Sequence, residues 1–205
     1  MQTRIFVLRI AAVLIASSLS TGAAAANLIS NGSFDANVNG WLANNPSSDV
    51  TWDGANDANG SATSGSMQIG QIDFLNFSVG ASQCLVASIS GDYSFGFKTR
   101  LATISNVNMT CSSFASLNCS GTATATATNG DATANTTTWT SSDQTTVLAV
   151  PTGTNSVNCA LTFALLTRPA GRAPQPQATL ITGRFDDAFF SAVTVPVTLQ
   201  SFDVN

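Results

Sequence analysis

The chain has 205 residues, of which 44% are hydrophobic and only 9% are charged. It contains no histidine and no glutamate, and its 11 acidic residues, all Asp, outnumber its 7 Lys and Arg residues. This composition excludes His-based catalytic triads, His-rich zinc sites and Glu-based acid–base pairs. It also argues against nucleic acid as a partner, because binding to the phosphate backbone relies on clustered Lys and Arg.

The first 26 residues have the pattern of a secretory signal peptide. Arg4 and Arg9 flank the first apolar residues, residues 10–19 are mostly hydrophobic, and three alanines at 24–26 provide a cleavage site. The apolar run is shorter than the roughly 20 residues that span a bilayer, which makes a retained membrane anchor the lesser alternative. We therefore expect a secreted protein, extracellular or on the cell surface, with the periplasm as an alternative and no membrane insertion.

All four cysteines, Cys84, Cys111, Cys119 and Cys159, follow this signal. Exported proteins fold in an oxidising environment, so two disulfides are expected. The sequence alone leaves all three pairings open.

The clearest strand signal begins at Tyr93. Tyr93, Phe95 and Phe97 alternate with small or polar residues, and Lys98 and Arg100 continue the polar side. Alternation with a period of two is typical of a strand with one buried and one open face. We therefore expect the three aromatic rings in the core and the two cations on the open face.

The remaining chain reads as short strands separated by turns, without a convincing amphipathic helix. Turn signals include Gly91-Asp92 and 151–153, and 168–177 is too rich in Pro for a central strand. We interpret 31–41 as the opening strand and 184–190 as the closing strand. Further strands are expected at 50–52, 66–72, 74–79, 84–86, 107–114, 122–128, 145–150, 156–166 and 178–181. This pattern predicts an all-β, antiparallel sandwich.

Several segments in order resemble a known family. They are NGSFD followed by GW, then SGSMQI, SQCLVASISGDYSFGFKTRL, CSG, the Trp139-Thr140 pair and FDDAFF. Together they are similar to carbohydrate-binding modules of the cellulose- and xylan-binding jelly-roll type, which have a galactose-binding-like fold. The resemblance implies one jelly-roll β-sandwich domain at 27–191, followed by a strand-like tail at 192–205.

The resemblance also implies a structural calcium ion. The matching positions are Asp35, Asp186 and Asp187, and oxygen ligands suit this hard cation. The family usually has Glu where this chain has Asp35. The alternative is that Asp35 or Asp186 caps a turn.

Relatives bind sugar on the open face of one sheet or at loops on its rim. The candidate contacts here are Trp52 as a stacking platform, with Gln83, Lys98 and Arg100 as polar contacts. The alternatives are a core role for Trp52 and a solvated sheet face for the other three. Trp41 is expected to lie in the core, and Trp139 is expected to pack on the sheet.

The same relatives often join the Cys of the SQC segment to the Cys of the CSG segment. This implies a Cys84–Cys119 disulfide and leaves Cys111 to pair with Cys159. The rival arrangement is Cys111–Cys119 with Cys84–Cys159.

The leading hypothesis is a secreted, non-catalytic, lectin-like module that binds a polysaccharide or other glycan. The alternative is an extracellular structural protein that associates through sheet edges or through the tail at 192–205. An Asp-dependent hydrolase is a distant third.

Overall fold

The computed structural model describes residues 25–71, 78–101, 105–129, 138–165 and 182–193. Most of the predicted signal peptide, the Pro-rich stretch and nearly all of the tail lie outside these ranges. The described residues form β-strands, and no helix among them is long and apolar enough to cross a membrane. The predicted all-β class is confirmed.

Nine strands are present in the described residues, and every pairing between them is antiparallel. The main hydrogen-bonded order is β2-β3-β9-β4-β8-β5-β6, with β1 and β7 paired to β4. The strands are β1 (Leu42–Ala43), β2 (Ser48–Asp53), β3 (Ser66–Gln71), β4 (Ser78–Leu101), β5 (Ser105–Phe114), β6 (Ala125–Asn129), β7 (Thr140–Ser141), β8 (Val147–Leu165) and β9 (Thr182–Ala192).

The sheet has two layers because β4 is long enough to run through both. The first layer consists of β2, β3, β9, β7 and residues 91–101 of β4, with the start of β8 beside it. The second layer consists of β1, β5, β6, residues 154–165 of β8 and residues 78–86 of β4. Between the layers, the register of β4 against β8 shifts twice. Such irregularities bend a strand.

The two layers enclose one hydrophobic core. A Cβ atom placed on Gly183 of the first layer would lie 3.2 Å from the ring of Phe163 in the second. Phe95 and Phe97 are 0% and 1% exposed, and the ring of Tyr93 stacks on that of Phe190 with centroids 4.8 Å apart. The aromatic half of the predicted alternation is therefore confirmed.

Two predicted turns are instead irregularities inside strands. Gly91 lies within β4 with φ of 105°, and residues 151–153 lie within β8. Ile89 pairs with Thr154 and Gly91 pairs with Val150, so residues 151–153 of β8 stand opposite the one residue between Ile89 and Gly91. Both strands continue because the extra residues bulge out of the ladder.

Residues 31–41 do not form the predicted opening strand. Residues 31–41 are turns and bends, with Asn31 and Phe34 at φ of 53° and 47°. The N-terminal segment nevertheless lies along β9, since the Ala188 N–H donates to the Gly32 carbonyl at 2.9 Å. A Cβ on Gly32 would lie 2.1 Å from the Ala188 oxygen, so the approach requires glycine.

Two disulfides connect the strands. Cys84 is joined to Cys119, with Cα atoms 5.9 Å apart, and Cys111 is joined to Cys159, with Cα atoms 4.1 Å apart. These are the two pairs that the resemblance implies. Cys111 and Cys159 are register partners on β5 and β8 and are both 0% exposed, whereas Cys84 is exposed.

This difference in burial predicts stepwise reduction. A phosphine reductant under native conditions should open Cys84–Cys119 first, because the other pair is shielded by the core. Alkylation followed by peptide mass spectrometry should label Cys84 and Cys119 before Cys111 and Cys159. Each lost cross-link should lower the free energy of unfolding by about 4 kcal/mol in the chain-entropy model. Simultaneous labelling of all four cysteines would contradict the prediction.

Candidate functional site

The loop between β2 and β3, residues 54–65, lies over the outer face of the first layer. The main-chain N–H of Ala58 donates to Asp186 Oδ2 at 2.8 Å, and Asn59 Nδ2 donates to Asp187 Oδ2 at 3.0 Å. Both acceptors belong to β9. The strands predicted at 50–52 and 66–72 left a connection here, but no local signal showed that it folds back across β9.

Lys98 and Arg100 point outward, as their alternation predicted, and contact this β2–β3 loop. Lys98 Nζ lies 2.7 Å from Asp187 Oδ2 and donates to Asn59 Oδ1 at 2.6 Å. Arg100 Nη1 donates to Asn56 Oδ1 at 2.9 Å. The two predicted sugar contacts, Lys98 and Arg100, therefore lie side by side, but their N–H groups donate to side chains of the loop.

A third cation, Arg184, stands opposite Arg100 in the β4–β9 ladder. Like charges directly opposite each other destabilise a sheet. Arg184 Nε donates to Asp53 Oδ2 at 2.6 Å. Burial disfavours the charged form of Asp53, but hydrogen bonds from Arg184, the Ala55 N–H and Asn56 outweigh it and lower the pKa of Asp53. Asp53 thus provides a counter-charge where the loop begins.

Asp186 is 0% exposed beneath the loop. Its two carboxylate oxygens accept the main-chain N–H groups of Ala58 and Asp187, each at 2.8 Å. Burial raises the pKa of Asp186 to about 6; the charges of Asp187 and Asp57 add to this rise, and the two N–H groups oppose it. A raised pKa is typical of an acid catalyst, but the loop covers this carboxyl. Its contacts indicate a role in holding the loop.

The three carboxylates predicted to bind calcium do not form a shared ligand group among the described residues. Asp35 Oδ1 lies 3.1 Å from Ser64 Oγ, and Asp187 is paired with Lys98. A calcium ion would have to draw Asp187 away from the Lys98 ammonium. As placed, these donors do not fit the ion, and calcium stays a prediction of the resemblance.

Trp52 lies on the edge strand β2 and is 41% exposed. Its Nε1 donates to the Phe34 carbonyl at 2.7 Å. The two ends of the β2–β3 loop pack against the indole: Cβ atoms on Gly54 and Gly65 would lie 2.4 Å from Cη2 and 2.7 Å from Nε1. The ring is therefore held in one orientation while much of it faces solvent.

Polar groups lie beside this ring. The bond to Phe34 brings the exposed Ser33 and Asp35 next to Trp52. Ser64 Oγ lies 3.1 Å from Asp35 Oδ1 and 3.2 Å from the Ser33 carbonyl oxygen. Three segments that are distant in the sequence thus meet around the indole, and no local sequence pattern predicted that they would.

Gln83 lies apart from this group, in the second-layer part of β4. It is 4% exposed, and both ends of its amide bond to the main chain of Ser30 at 2.9 Å. Gln83 therefore ties the N-terminal segment to β4. Trp41 is 5% exposed in the core, as expected, and Trp139 is half-buried.

The chain matches no protein-family model and no curated protein sequence. Among solved structures, the CBM22-1 xylan-binding domain from Paenibacillus barcinonensis is similar with a TM-score of 0.55 and 13% identity, over 84% of this chain and 97% of that one. The enzymatically active domain of tailspike protein 4 from bacteriophage CBA120 gives a TM-score of 0.57 and 14% identity, over 82% of this chain. An arabinose-bound α-L-arabinofuranosidase gives a TM-score of 0.52 and 18% identity, over 83% of this chain.

The chain spans only 21% of the tailspike chain and 27% of the arabinofuranosidase chain, but almost the whole xylan-binding domain. At these identities the similarity establishes the fold. The predicted resemblance to jelly-roll carbohydrate-binding modules is confirmed at that level.

The burial of Asp186 predicts a pH dependence of stability. Its pKa is raised from 3.8 to about 6 in the folded protein, so between these values the folded state holds a proton that the unfolded state has lost. The free energy of unfolding should therefore rise as the pH falls from 7 to 4, by up to about 3 kcal/mol from this residue. The pKa values of Asp53 and Asp57 are lowered, so the stability that these two carboxylates contribute is lost only at pH values below this range.

Denaturant unfolding between pH 4 and 7 tests this for wild type, for Asp186→Asn and for Asp49→Asn as an exposed control. The rise should persist in the control and disappear in Asp186→Asn. Parallel pH profiles for all three proteins would refute the assignment.

Calcium binding is tested by melting curves in calcium and in chelator. If Asp35, Asp186 and Asp187 bind the ion, calcium should raise the Tm, and the Asp35→Asn variant should show a smaller rise. Equal Tm values in calcium and in chelator would remove the site.

Proposed function

We propose that this protein is a secreted, non-catalytic carbohydrate-binding protein whose main contact with sugar is Trp52. The observation that carries the proposal is an exposed indole whose orientation is fixed by the Phe34 carbonyl and by two glycines. An aromatic face offers a large contact area to the apolar face of a sugar ring, and fixing it beforehand reduces the entropy lost on binding.

The polar groups around the indole supply the second half of such a site. The Asp35 carboxylate is exposed and can accept hydrogen bonds from sugar hydroxyls beyond its contact with Ser64. A cleft of about 360 Å³ also opens between the N-terminal segment and β9, and Ser33 and Asp187 line it. Its volume is within the range of small-ligand sites.

A neutral polysaccharide is the ligand class that these charges favour. The cations Lys98 and Arg184 are paired with Asp187 and Asp53, and the exposed Asp35 beside the indole would repel an acidic sugar. Xylan is the first ligand to test, because one of the similar structures is a xylan-binding domain. Lys98 and Arg100 remain proposed contacts for a longer sugar chain that extends from Trp52 along the β2–β3 loop, to which both side chains are hydrogen-bonded.

The N-terminal pattern and the two disulfides support secretion, since disulfides persist in oxidising compartments. The covered position of Asp186 supports a binding role over hydrolysis, because a substrate would have no access to this carboxyl. Self-association through the tail stays a prediction, since nearly all of that segment lies outside the described residues.

The experiment is a pull-down on insoluble xylan and cellulose, together with a glycan array, using protein shown to be folded. Trp52→Ala should weaken binding at least about tenfold, equivalent to about 1.4 kcal/mol. Trp52→Phe should retain most of it, because the phenyl ring keeps a stacking face while losing the bond to Phe34. Trp139→Phe is the matched control and should bind like wild type.

Equal binding by wild type and Trp52→Ala would overturn Trp52 as the platform. Binding to no glycan by folded wild-type protein would overturn the proposed function.

A further inference from the structure

The two ends of the main sheet differ in how they are protected. The strand order begins with β2 and ends with β6. Unpaired edges tend to pair with other chains, and natural proteins guard them with charged residues, prolines or bulges. At the β2 end, Asp49 and Asp53 lie on the edge strand itself, and the β2–β3 loop follows directly.

β6 itself carries none of these guards, and only its last residue, Asn129, is covered, with its side-chain amide donating to the carbonyls of Phe95 and Asp143. Its sequence, ATATN, has no charge and no proline, and its register against β5 runs without a shift from Ala125 to Asn129. No described strand pairs with its other side. Thr126 and Thr128 are exposed, and their hydroxyls lie 2.9 Å from those of Ser112 and Thr110 on β5. β6 is thus tied to its inner neighbour by side-chain as well as main-chain hydrogen bonds.

Charge is absent from the whole layer behind this edge. No Asp, Glu, Lys or Arg occurs in β1, β5, β6, β8 or residues 78–86 of β4. The described charges of the sheet, including Lys98, Arg184 and Asp187, lie on first-layer strands. Because Asp residues outnumber Lys and Arg in this chain, two copies repel each other least when they approach through this uncharged layer.

We propose that the β6 edge is a self-association surface at which a second copy of this chain adds its own β6. A two-fold axis beside the edge pairs β6 antiparallel with itself, since such an interface presents the same residues from both copies. The second layers of the two copies then form one continuous sheet through main-chain hydrogen bonds, as in strand addition. The edge is short, so the dimer dissociates on dilution.

The test is sedimentation velocity of the purified protein over a wide concentration range at physiological salt. Wild type should shift from monomer to dimer as concentration rises. Thr126→Lys places an ammonium on the β6 edge and should raise the dimer Kd at least about tenfold. Thr51→Lys, the same change at an exposed position of the β2 edge, should leave it unchanged.

Hydrogen exchange on the wild-type protein gives a second measurement that does not depend on a variant folding. Amides of β6 should become more protected at high concentration, while those of β2 should not. A monomer at every concentration would overturn the proposal, as would equal effects of the two Lys variants or unchanged protection of β6. None of these results depends on sugar binding.

Discussion

The constraint on which the rest of this structure depends is that β4 belongs to both layers. One continuous strand carries the core residues Phe95 and Phe97, the cations Lys98 and Arg100 of the first layer and the Cys84 disulfide of the second. Its bend relies on the bulged region near Gly91, where β8 accommodates extra residues. Because both layers are fixed to the same strand, the loop on one side and the edge on the other have defined positions.

The β2–β3 loop is ordered by the needs of the surface beneath it. Arg100 and Arg184 lie opposite each other on the neighbouring strands β4 and β9, and Asp186 is fully buried. The loop supplies Asn56 to one cation, the residue before it, Asp53, supplies a carboxylate to the other, and a main-chain N–H reaches the buried acid. Such a network is stable only when every member is satisfied. Its consequence is that both ends of the loop are fixed, and with them the indole of Trp52.

The sequence predicted the parts of the fold that depend on local periodicity. The alternation at Tyr93–Leu101 predicted correctly which side chains point into the core, since its period of two depends on the strand alone. Gly91 and Pro151 gave turn signals that a bulge produces equally well, and only the pairing of β4 with β8 distinguishes the two. Gln83 has the same parity as Leu85 in one long strand, which accounts for its burial. No local sequence pattern predicted that the β2–β3 loop would cover Lys98 and Arg100, because this contact depends on where a distant loop folds.

The two proposed surfaces lie at opposite ends of the strand order, and this separation has a physical consequence. Trp52 is on β2, whereas β6 ends the sheet on the other side. A dimer joined through β6 would leave both indoles free and would carry two sugar sites on one rigid body. Two sites that engage the same polysaccharide surface bind far more tightly than either alone, provided that both can reach it. A weak single-ring site would then suffice on an extended polymer, and it would bind a short soluble oligosaccharide poorly.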